Sequence, residues 1–505
     1  MRSFFLVAFS RCRDSIAADS LFIVTWILLG GAIAAALVVG IVVRRNAARN
    51  ALRAVHRTRA RVARFKLAKK AIVREMLLAD PAVAAAVQSH AEENGVSERQ
   101  VWTQVEVYID EIVPFFNILT YYRIGLVVSR LLLNFFYKVS AEYSGQSSQS
   151  ALPRDAVVIY LMNHRSNADY VLVGYVLSGQ VAISYAVGEW ARVFPLEYIF
   201  KSFGAYFIRR KYREKLYHTV LERYVQLITR HGVTQGIFLE GGLSRDGKIG
   251  NAKIGLLDYV LGAARDPALR QRLYIIPVAI NYDRVLEDRS LLRELDAREG
   301  RKRPPKSAQA AEVARYVWWN LARLVARRWK RYGRASVVIG EPLSVGAWLD
   351  ARAAEGADFF AIDRVERLAQ VQALADAALE KIAALIPVTP VSLACAALQS
   401  LDGDFVTHAR LVERMSDMRD VLRELNARVI HRDGDVEEIF DRAWRMLSMR
   451  RILVKTGSGY SVLPHSRPLI SYYANSVAHL LGPFANGVRA RDSLPAVAAG
   501  IVNVL

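Results

Sequence analysis

The sequence predicts an α/β fold. A mixed sheet occupies the middle of the chain, preceded by a helical N-terminal region with a single transmembrane helix and followed by a mainly helical C-terminal region. Three observations predict it. Short apolar, β-branched runs alternate with helix-like stretches across the middle of the chain. One uninterrupted apolar run of 23 residues, 21–43, stands near the start. Beyond Pro387-Val388-Thr389-Pro390, helical patterning takes over. The composition of the 505-residue chain, 53% hydrophobic and 23% charged, excludes a disordered tail and leaves room for two to four domains.

The N-terminal elements come first. The run 21–43, broken only by Thr25, spans roughly 34 Å as a helix. It stops at Arg44-Arg45, and from there to Lys70 come eleven Lys or Arg and no acid. A signal peptide and a buried core helix are alternatives. A membrane anchor is favoured by the length and by the Arg block, with the C-terminal side in the cytoplasm and the basic stretch against anionic headgroups. Residues 1–45 are thus read as an N-terminal segment and anchor, and 46–145 as a basic juxtamembrane and helical domain. Phe65 to about Tyr143 has helical character, with Asp80-Pro81 as a helix start. The stretch 131–137 is apolar but too short to span a bilayer.

A polar loop, Ser144 to Pro153, marks the next boundary. Over 146–350, candidate strands lie near 156–162, 181–187, 205–209, 236–240, 274–280 and 335–340, with helices at 217–229 and 256–264. Residues 286–306 read as an exposed loop, and Trp318-Trp319 opens a basic amphipathic helix. The final segment, 388–505, is helical with a hairpin at 451–463 around Gly457-Ser458-Gly459. Tyr472-Tyr473, with Asn475 and His479, reads either as an acyl-chain-facing patch or as core.

The strongest chemical signal is Asn163-His164-Arg165-Ser166-Asn167-Ala168-Asp169-Tyr170, lying between the strand-like 157–162 and an apolar helix. A strand-to-helix turn is where α/β folds commonly put chemistry. On one regular helix His164 and Asp169 would point about 140° apart; in a turn they can converge. A carboxylate on one imidazole nitrogen then leaves the other free as a base. The same residues fit a second reading, in which Ser166 or Asn167 caps the helix and Asp169 only satisfies backbone donors.

Three later segments follow it in order. Phe203-Gly204-Ala205-Tyr206-Phe207-Ile208-Arg209-Arg210 ends in two guanidinium groups. Gly236-Ile237-Phe238-Leu239-Glu240-Gly241-Gly242-Leu243-Ser244-Arg245-Asp246-Gly247-Lys248 opens from a strand into a Gly-rich basic loop. Tyr274-Ile275-Ile276-Pro277-Val278-Ala279-Ile280-Asn281-Tyr282 is a strand interrupted by proline. Singly these also read as solvated strand-end charges, an ordinary turn, and an edge or bulge marker.

Together the four segments resemble the four acyltransferase motifs of the glycerol-3-phosphate and dihydroxyacetone-phosphate acyltransferase family. The likeness extends upstream through 71–76, Tyr108-Ile109-Asp110-Glu111-Ile112-Val113-Pro114 and Tyr121-Tyr122-Arg123. The resemblance implies an acyltransferase domain with His164 and Asp169 catalytic. It also implies a substrate site containing Arg165, Ser166, Phe207, Arg209, Arg210, Glu240, Gly241, Gly242, Ser244, Arg245 and Pro277. One departure is Leu243, where the family usually carries Arg; it leaves dihydroxyacetone phosphate or lysophosphatidic acid open as acceptor beside glycerol 3-phosphate.

The residues suit that chemistry. Acyl transfer from a thioester to an alcohol needs a base for the hydroxyl proton, for which His164 oriented by Asp169 serves. Backbone N–H groups of the Gly-rich loop can hold the oxyanion, and Arg209, Arg210, Arg245, Arg165 and Lys248 can hold a phosphate. Cys12 and Cys395 lie outside every motif, and the nine histidines form no zinc-like pair. No metal is expected, and no cofactor beyond acyl-CoA or acyl carrier protein as co-substrate. The net charge of +21 asks for an anionic partner. Much of the excess lies beside the anchor and no nucleic-acid motif is present, so membrane phospholipids and phosphorylated substrates are expected and nucleic acid is not. Ala- and Arg-rich usage points to a bacterial inner membrane, with the catalytic domain on its cytoplasmic side. An idle membrane-binding homologue is the contrasting reading.

Overall fold

A computed structural model describes residues 70–115, 125–145, 152–153, 155–178, 183–188, 196–209, 212–298, 331–356, 358–401, 403–431 and 434–482. Almost all of these fall in one unit, made of 59–292 and 332–505. A second unit, 1–58 and 293–331, contributes only 293–298 and Arg331 to the described residues.

Helices α1 (Lys70–Leu78), α2 (Pro81–Asn94) and α3 (Glu98–Ile112) open the described chain. The Asp80-Pro81 start is borne out: the Asp80 carboxylate accepts from the Ala82 and Val83 N–H groups, and Pro81 begins the first turn. Gly95, at φ +64°, ends α2 in the left-handed conformation that a Cβ disfavours. Helix α3 buries Val101, Val105, Tyr108, Ile109, Glu111 and Ile112 on one face. Helix α4 (Leu126–Phe136) is apolar but only 11 residues long, and Leu131 and Leu132 remain half exposed.

Strand β1 (Lys138–Tyr143) corrects the helical reading of 65–143. Its charged and half-exposed residues carry little apolar pattern, and it is parallel pairing with a later strand that makes it β. The central sheet follows. Strand β2 (Val157–Met162) is buried at every residue, as a strand covered on both faces must be. It leads into α5 (Asp169–Val176), β3 (Ser184–Gly188), α6 (Leu196–Ser202), β4 (Tyr206–Ile208), α7 (Lys215–Arg230) and β5 (Gln235–Phe238). Then come α8 (Gly255–Ala263), α9 (Pro267–Arg270) and β6 (Leu273–Tyr282). Helix α10 (Asp288–Arg298) stands where 286–306 was read as an exposed loop; its charge hid the helix, yet Asp288 at its start is buried. Strands β7 (Arg334–Ile339) and β8 (Leu343–Ser344) complete the sheet.

The order is β1-β7-β6-β2-β5-β3-β4, with β8 also on β6. Strands β6, β2, β5, β3 and β4 run parallel, β7 runs antiparallel to β6, and β1 parallel to β7, so the expected mixed sheet is borne out. Pro277 sits inside the sheet, not at its edge. One side of β6 pairs β8 through Tyr274 and Ile275, then β7 from Val278 onward, and the proline falls between the two. The N-terminal helices share one core with this sheet: Val83, Val105 and Ile109 join Ile159, Leu161, Leu216 and Val220.

Helices α11 (Val345–Ala354) and α12 (Arg364–Leu385) pack on the sheet. The C-terminal part holds α13 (Pro390–Gln399), buried from Pro390 to Leu398. Around it lie β9 (Phe405–Thr407), α14 (His408–Glu424), α15 (Val436–Met449), the expected hairpin as β10 (Leu453–Thr456) and β11 (Gly459–Val462), and α16 (Arg467–Asn475). Tyr472 and Tyr473 are core.

The expected single transmembrane helix is corrected: among the described residues, no helix is long and apolar enough to cross a membrane. Among the described helices, length and apolarity do not coincide. The 22-residue α12 carries Arg364, Glu366, Arg367, Asp376, Glu380 and Lys381, while apolar α4 has half the span a bilayer needs. The run 21–43 and the basic stretch after it lie outside the described residues, as do 121–123, Arg210 and the basic stretch from Trp318 to Lys330.

Candidate active site

At the C-terminal end of β2, Asn163 clamps the strand to β6. Its Nδ2 donates to the Ile280 carbonyl at 2.9 Å, and its Oδ1 accepts from the Ile280 N–H at 2.8 Å. The chain then turns, and His164 Nδ1 lies 2.9 Å from Asp169 Oδ2. The same Oδ2 accepts from the backbone N–H of Arg165 at 2.7 Å and of Ser166 at 3.0 Å. Oδ1 accepts from the Tyr282 hydroxyl at 2.6 Å. The two readings of the turn therefore meet in one carboxylate, which satisfies backbone donors and faces the imidazole. An acceptor at Nδ1 puts the proton of a neutral ring there and leaves Nε2 with its lone pair. The ring is flat against Phe238, centroids 3.9 Å apart, and edge-on to Tyr170; His164 is only 1% exposed.

The loop after β5 is fastened to this turn. Glu240 Oε1 accepts from the His164 N–H and Oε2 from the Gly250 N–H, each at 2.9 Å. Burial pushes the Glu240 carboxyl up, and the two backbone donors oppose that. The Ser244 N–H donates to the His164 carbonyl at 3.0 Å, and Ser244 Oγ donates to the Lys248 carbonyl at 2.7 Å. Gly241 takes φ +65°, and Gly242 is half-buried beside it. Gly247 takes φ +87°, and a Cβ there would run into the Tyr472 carbonyl oxygen. Its own carbonyl accepts from Arg165 Nη1. Arg165 is 3% exposed, with its guanidinium 5.2 Å over the Tyr472 ring; among the described residues Nε and Nη2 have no hydrogen-bond partner. Asn475 Nδ2 donates to the Asp246 carbonyl at 2.8 Å, so α16 underpins the loop. Arg245 is half-buried and Lys248 exposed on it.

Arg209 is not gathered with these groups. It directly follows β4, a strand three places from β2 and about 14 Å away at the usual strand spacing. Its Nε and Nη2 donate to the buried Glu111 carboxylate at 2.9 and 2.6 Å, and the rings of Tyr108, Tyr212 and Tyr217 surround it. Those bonds to Glu111 raise the Arg209 pKa further above its ordinary value. Phe207 is buried within β4, with the Lys201 ammonium 5.7 Å over its ring. Arg210 lies outside the described residues.

Sequence reasoning assigned no role to Glu111, Tyr282 or Glu287, and it read Tyr472 only as acyl-chain patch or core, not as the floor under Arg165 and Gly247. Glu111 and Tyr282 did lie in segments that carried the resemblance. Glu287 carried no signal; it accepts from Ser166 Oγ at 2.7 Å and from the Asn167 N–H at 3.2 Å. Chemically, the cluster offers an oriented imidazole, a buried guanidinium with free N–H groups, and a glycine-rich loop.

Residues 146–281 match the family model described as Acyltransferase, and residues 318–486 the one described as Glycerol-3-phosphate acyltransferase C-terminal region. The glycerol-3-phosphate acyltransferase of Aeromonas hydrophila is 26% identical over 422 residues, 82% of this chain and 50% of that protein. That of Actinobacillus succinogenes is 28% identical over 426 residues, 80% of this chain and 49% of that protein. The chain thus spans about half the length of the curated relatives it matches. A crystal structure of the 1-acyl-sn-glycerophosphate (LPA) acyltransferase PlsC from Thermotoga maritima aligns at a TM-score of 0.28 with 17% identity, over 52% of this chain and 77% of that one. The resemblance read from the four motifs is borne out by the family models and the bacterial relatives.

Proposed function

We propose that this chain transfers a fatty acyl group from acyl-CoA or acyl carrier protein to the sn-1 hydroxyl of glycerol 3-phosphate, giving lysophosphatidic acid. The observation that carries the reading is the 2.9 Å contact of His164 Nδ1 with a fully buried Asp169. His164 Nε2 takes the hydroxyl proton as the alcohol oxygen attacks the thioester carbonyl. Asp169 keeps the ring in register and stabilises the imidazolium. The tetrahedral intermediate then collapses, the thiolate leaves, and the imidazolium returns the proton to sulfur. Cys12 and Cys395 take no part.

Arg165 is the proposed phosphate contact nearest the base, because its unpartnered N–H groups cost free energy until an anion meets them. Ser166, Glu240, Gly241, Gly242 and Ser244 shape the loop around the acceptor, and Arg245 and Lys248 add charge at its rim. Phe207 and Pro277 are proposed to line the site from their strands. Arg209 serves the phosphate only if the acceptor displaces Glu111, and Arg210 is kept as a proposed phosphate contact on the strength of the motif. The relatives' bacterial origin, the lipid product and the +21 charge support work at the cytoplasmic face of a bacterial inner membrane, among phospholipids. The segments 1–45, 46–145, 146–350 and 388–505 stay part of this proposal.

The test offers the purified chain labelled palmitoyl-CoA with glycerol 3-phosphate, dihydroxyacetone phosphate or lysophosphatidic acid, and repeats it with acyl carrier protein as donor. Labelled lysophosphatidic acid from glycerol 3-phosphate is the expected product. Transfer only to another acceptor would redirect the assignment, and Leu243 would be the first residue to revert. No transfer from either donor would leave an idle homologue.

A further inference from the structure

The stretch from Tyr282, the last residue of β6, to Asp288 ties into the His164 turn at two points and into the C-terminal part at three. At its start, the Tyr282 hydroxyl supplies, among the described residues, the one donor to the Asp169 carboxylate from outside the turn, the others being His164, Arg165 and Ser166. At its end, Glu287 receives Ser166 Oγ and the Asn167 N–H. Between them the segment is rigidly anchored. Asp283 accepts from the backbone N–H groups of Arg334 and Val391, at 2.8 and 3.3 Å. The Val285 N–H donates to the Tyr473 hydroxyl at 3.2 Å. Asp288 is held by both terminal nitrogens of Arg450, and by the Tyr473 hydroxyl at 2.5 Å.

Building on the acyl-transfer reading, we infer that Tyr282 and Glu287 are positioning residues that fix the His164 turn from outside, with Arg450 and Tyr473 of the C-terminal helices as their buttress. The physical reason is geometric. Three donors clustered on Oδ2 all move with the turn, so they cannot set its angle against the sheet. Tyr282 sits on β6, the neighbour of β2, and its bond to Oδ1 stops the carboxylate from swinging. Glu287 holds the far side of the same turn. Burial, and next the Asp169 charge, push the Tyr282 hydroxyl well up, so it stays a donor throughout the working pH range. This gives the C-terminal region a task in the chemistry although it supplies no reacting group.

The test compares Tyr282→Phe and Glu287→Gln with Tyr137→Phe. Tyr137 is an equally buried neighbour whose hydroxyl goes to the Arg284 carbonyl, and its ring centroid is 5.4 Å from that of Tyr282. In Tyr282→Phe, kcat falls about tenfold, the scale of one hydrogen bond to a charged group, with KM for donor and acceptor unchanged. In histidine-labelled protein, the downfield Nδ1 proton resonance of His164 shifts or broadens in Tyr282→Phe and in Glu287→Gln, and stays in place in Tyr137→Phe. Parental kcat together with a parental resonance in both variants overturns the inference, and so does an equal effect in Tyr137→Phe. Should Tyr282→Phe fail to unfold cooperatively, Glu287→Gln decides alone by the same two readouts. The resonance needs no substrate, so failure of the parent to transfer an acyl group would remove the proposed function and still leave this inference open to judgement.

Discussion

The His164 turn and the Arg209 corner are both built on a basic side chain against a buried carboxylate, yet they are opposite in what they leave available. Asp169 spends its oxygens on the turn and on Tyr282, and holds the imidazole by one nitrogen only. Glu111 takes Arg209 by two nitrogens, and three tyrosine rings close over the guanidinium. The first arrangement orients a group for use; the second consumes one to join α3 to the edge of the sheet. Residue type alone does not separate the two cases. The partner does.

The comparison breaks most directly at His164. His164→Ala should cut turnover on the order of 10³-fold with the unfolding transition intact; activity within a few-fold of the parent would remove the base from the turn. Next in size is Gly247→Ala. Its positive φ and the Tyr472 carbonyl both oppose a side chain, so the loop and α16 must part, at a cost above about 2 kcal/mol in urea unfolding. An unchanged midpoint would mean that the loop does not lean on α16.

Glu111→Gln sharpens the contrast from the other side. It leaves a half-buried guanidinium short of its counter-charge and should cost about 1–3 kcal/mol of stability, with KM for the phosphorylated acceptor unchanged. A lowered KM would show that Arg209 serves the substrate once released, and the two regions would then be alike. The smallest effect is in pH. Burial raises the Glu287 carboxyl above its ordinary value near 4.5. Between that value and the raised one, the folded chain keeps a proton that the unfolded chain releases, so its contribution to stability falls as pH rises through this window. Glu287→Gln has no such charge. Its stability relative to the parent should therefore improve as pH climbs from about 4.5 toward neutral; a constant difference would mean that Glu287 is not ionising in place.

Much of the site was legible because its signals are local. A continuous apolar run made β2, and a His and an Asp five positions apart could meet only if a turn lay between them. The fastening of that turn was not legible. Tyr282 lies 113 positions from Asp169, Glu111 lies 98 from Arg209, and Gly247 meets Tyr472 from another part of the chain. Such pairs are fixed by packing, for which sequence spacing holds no trace. Strand β1 was missed because an edge strand with exposed Lys138 and Glu142 lacks the apolar alternation that marks the others. Helix α10 was missed because charge reads as loop until Asp288 is seen buried against Arg450. The transmembrane expectation rested on the run 21–43, which lies outside the described residues.

The hydrogen bond from Asn475 to the Asp246 carbonyl joins residues 229 positions apart. A ribosome adding roughly 5–20 residues per second needs on the order of tens of seconds to cover that interval. When it begins, β1 to β5 and the histidine turn are already synthesised, β6 to β8 are added along the way, and until it ends the glycine loop lacks its bond to α16. A nascent chain therefore carries the imidazole long before it carries a supported pocket, and the glycine loop gains its footing only once α16 has been made.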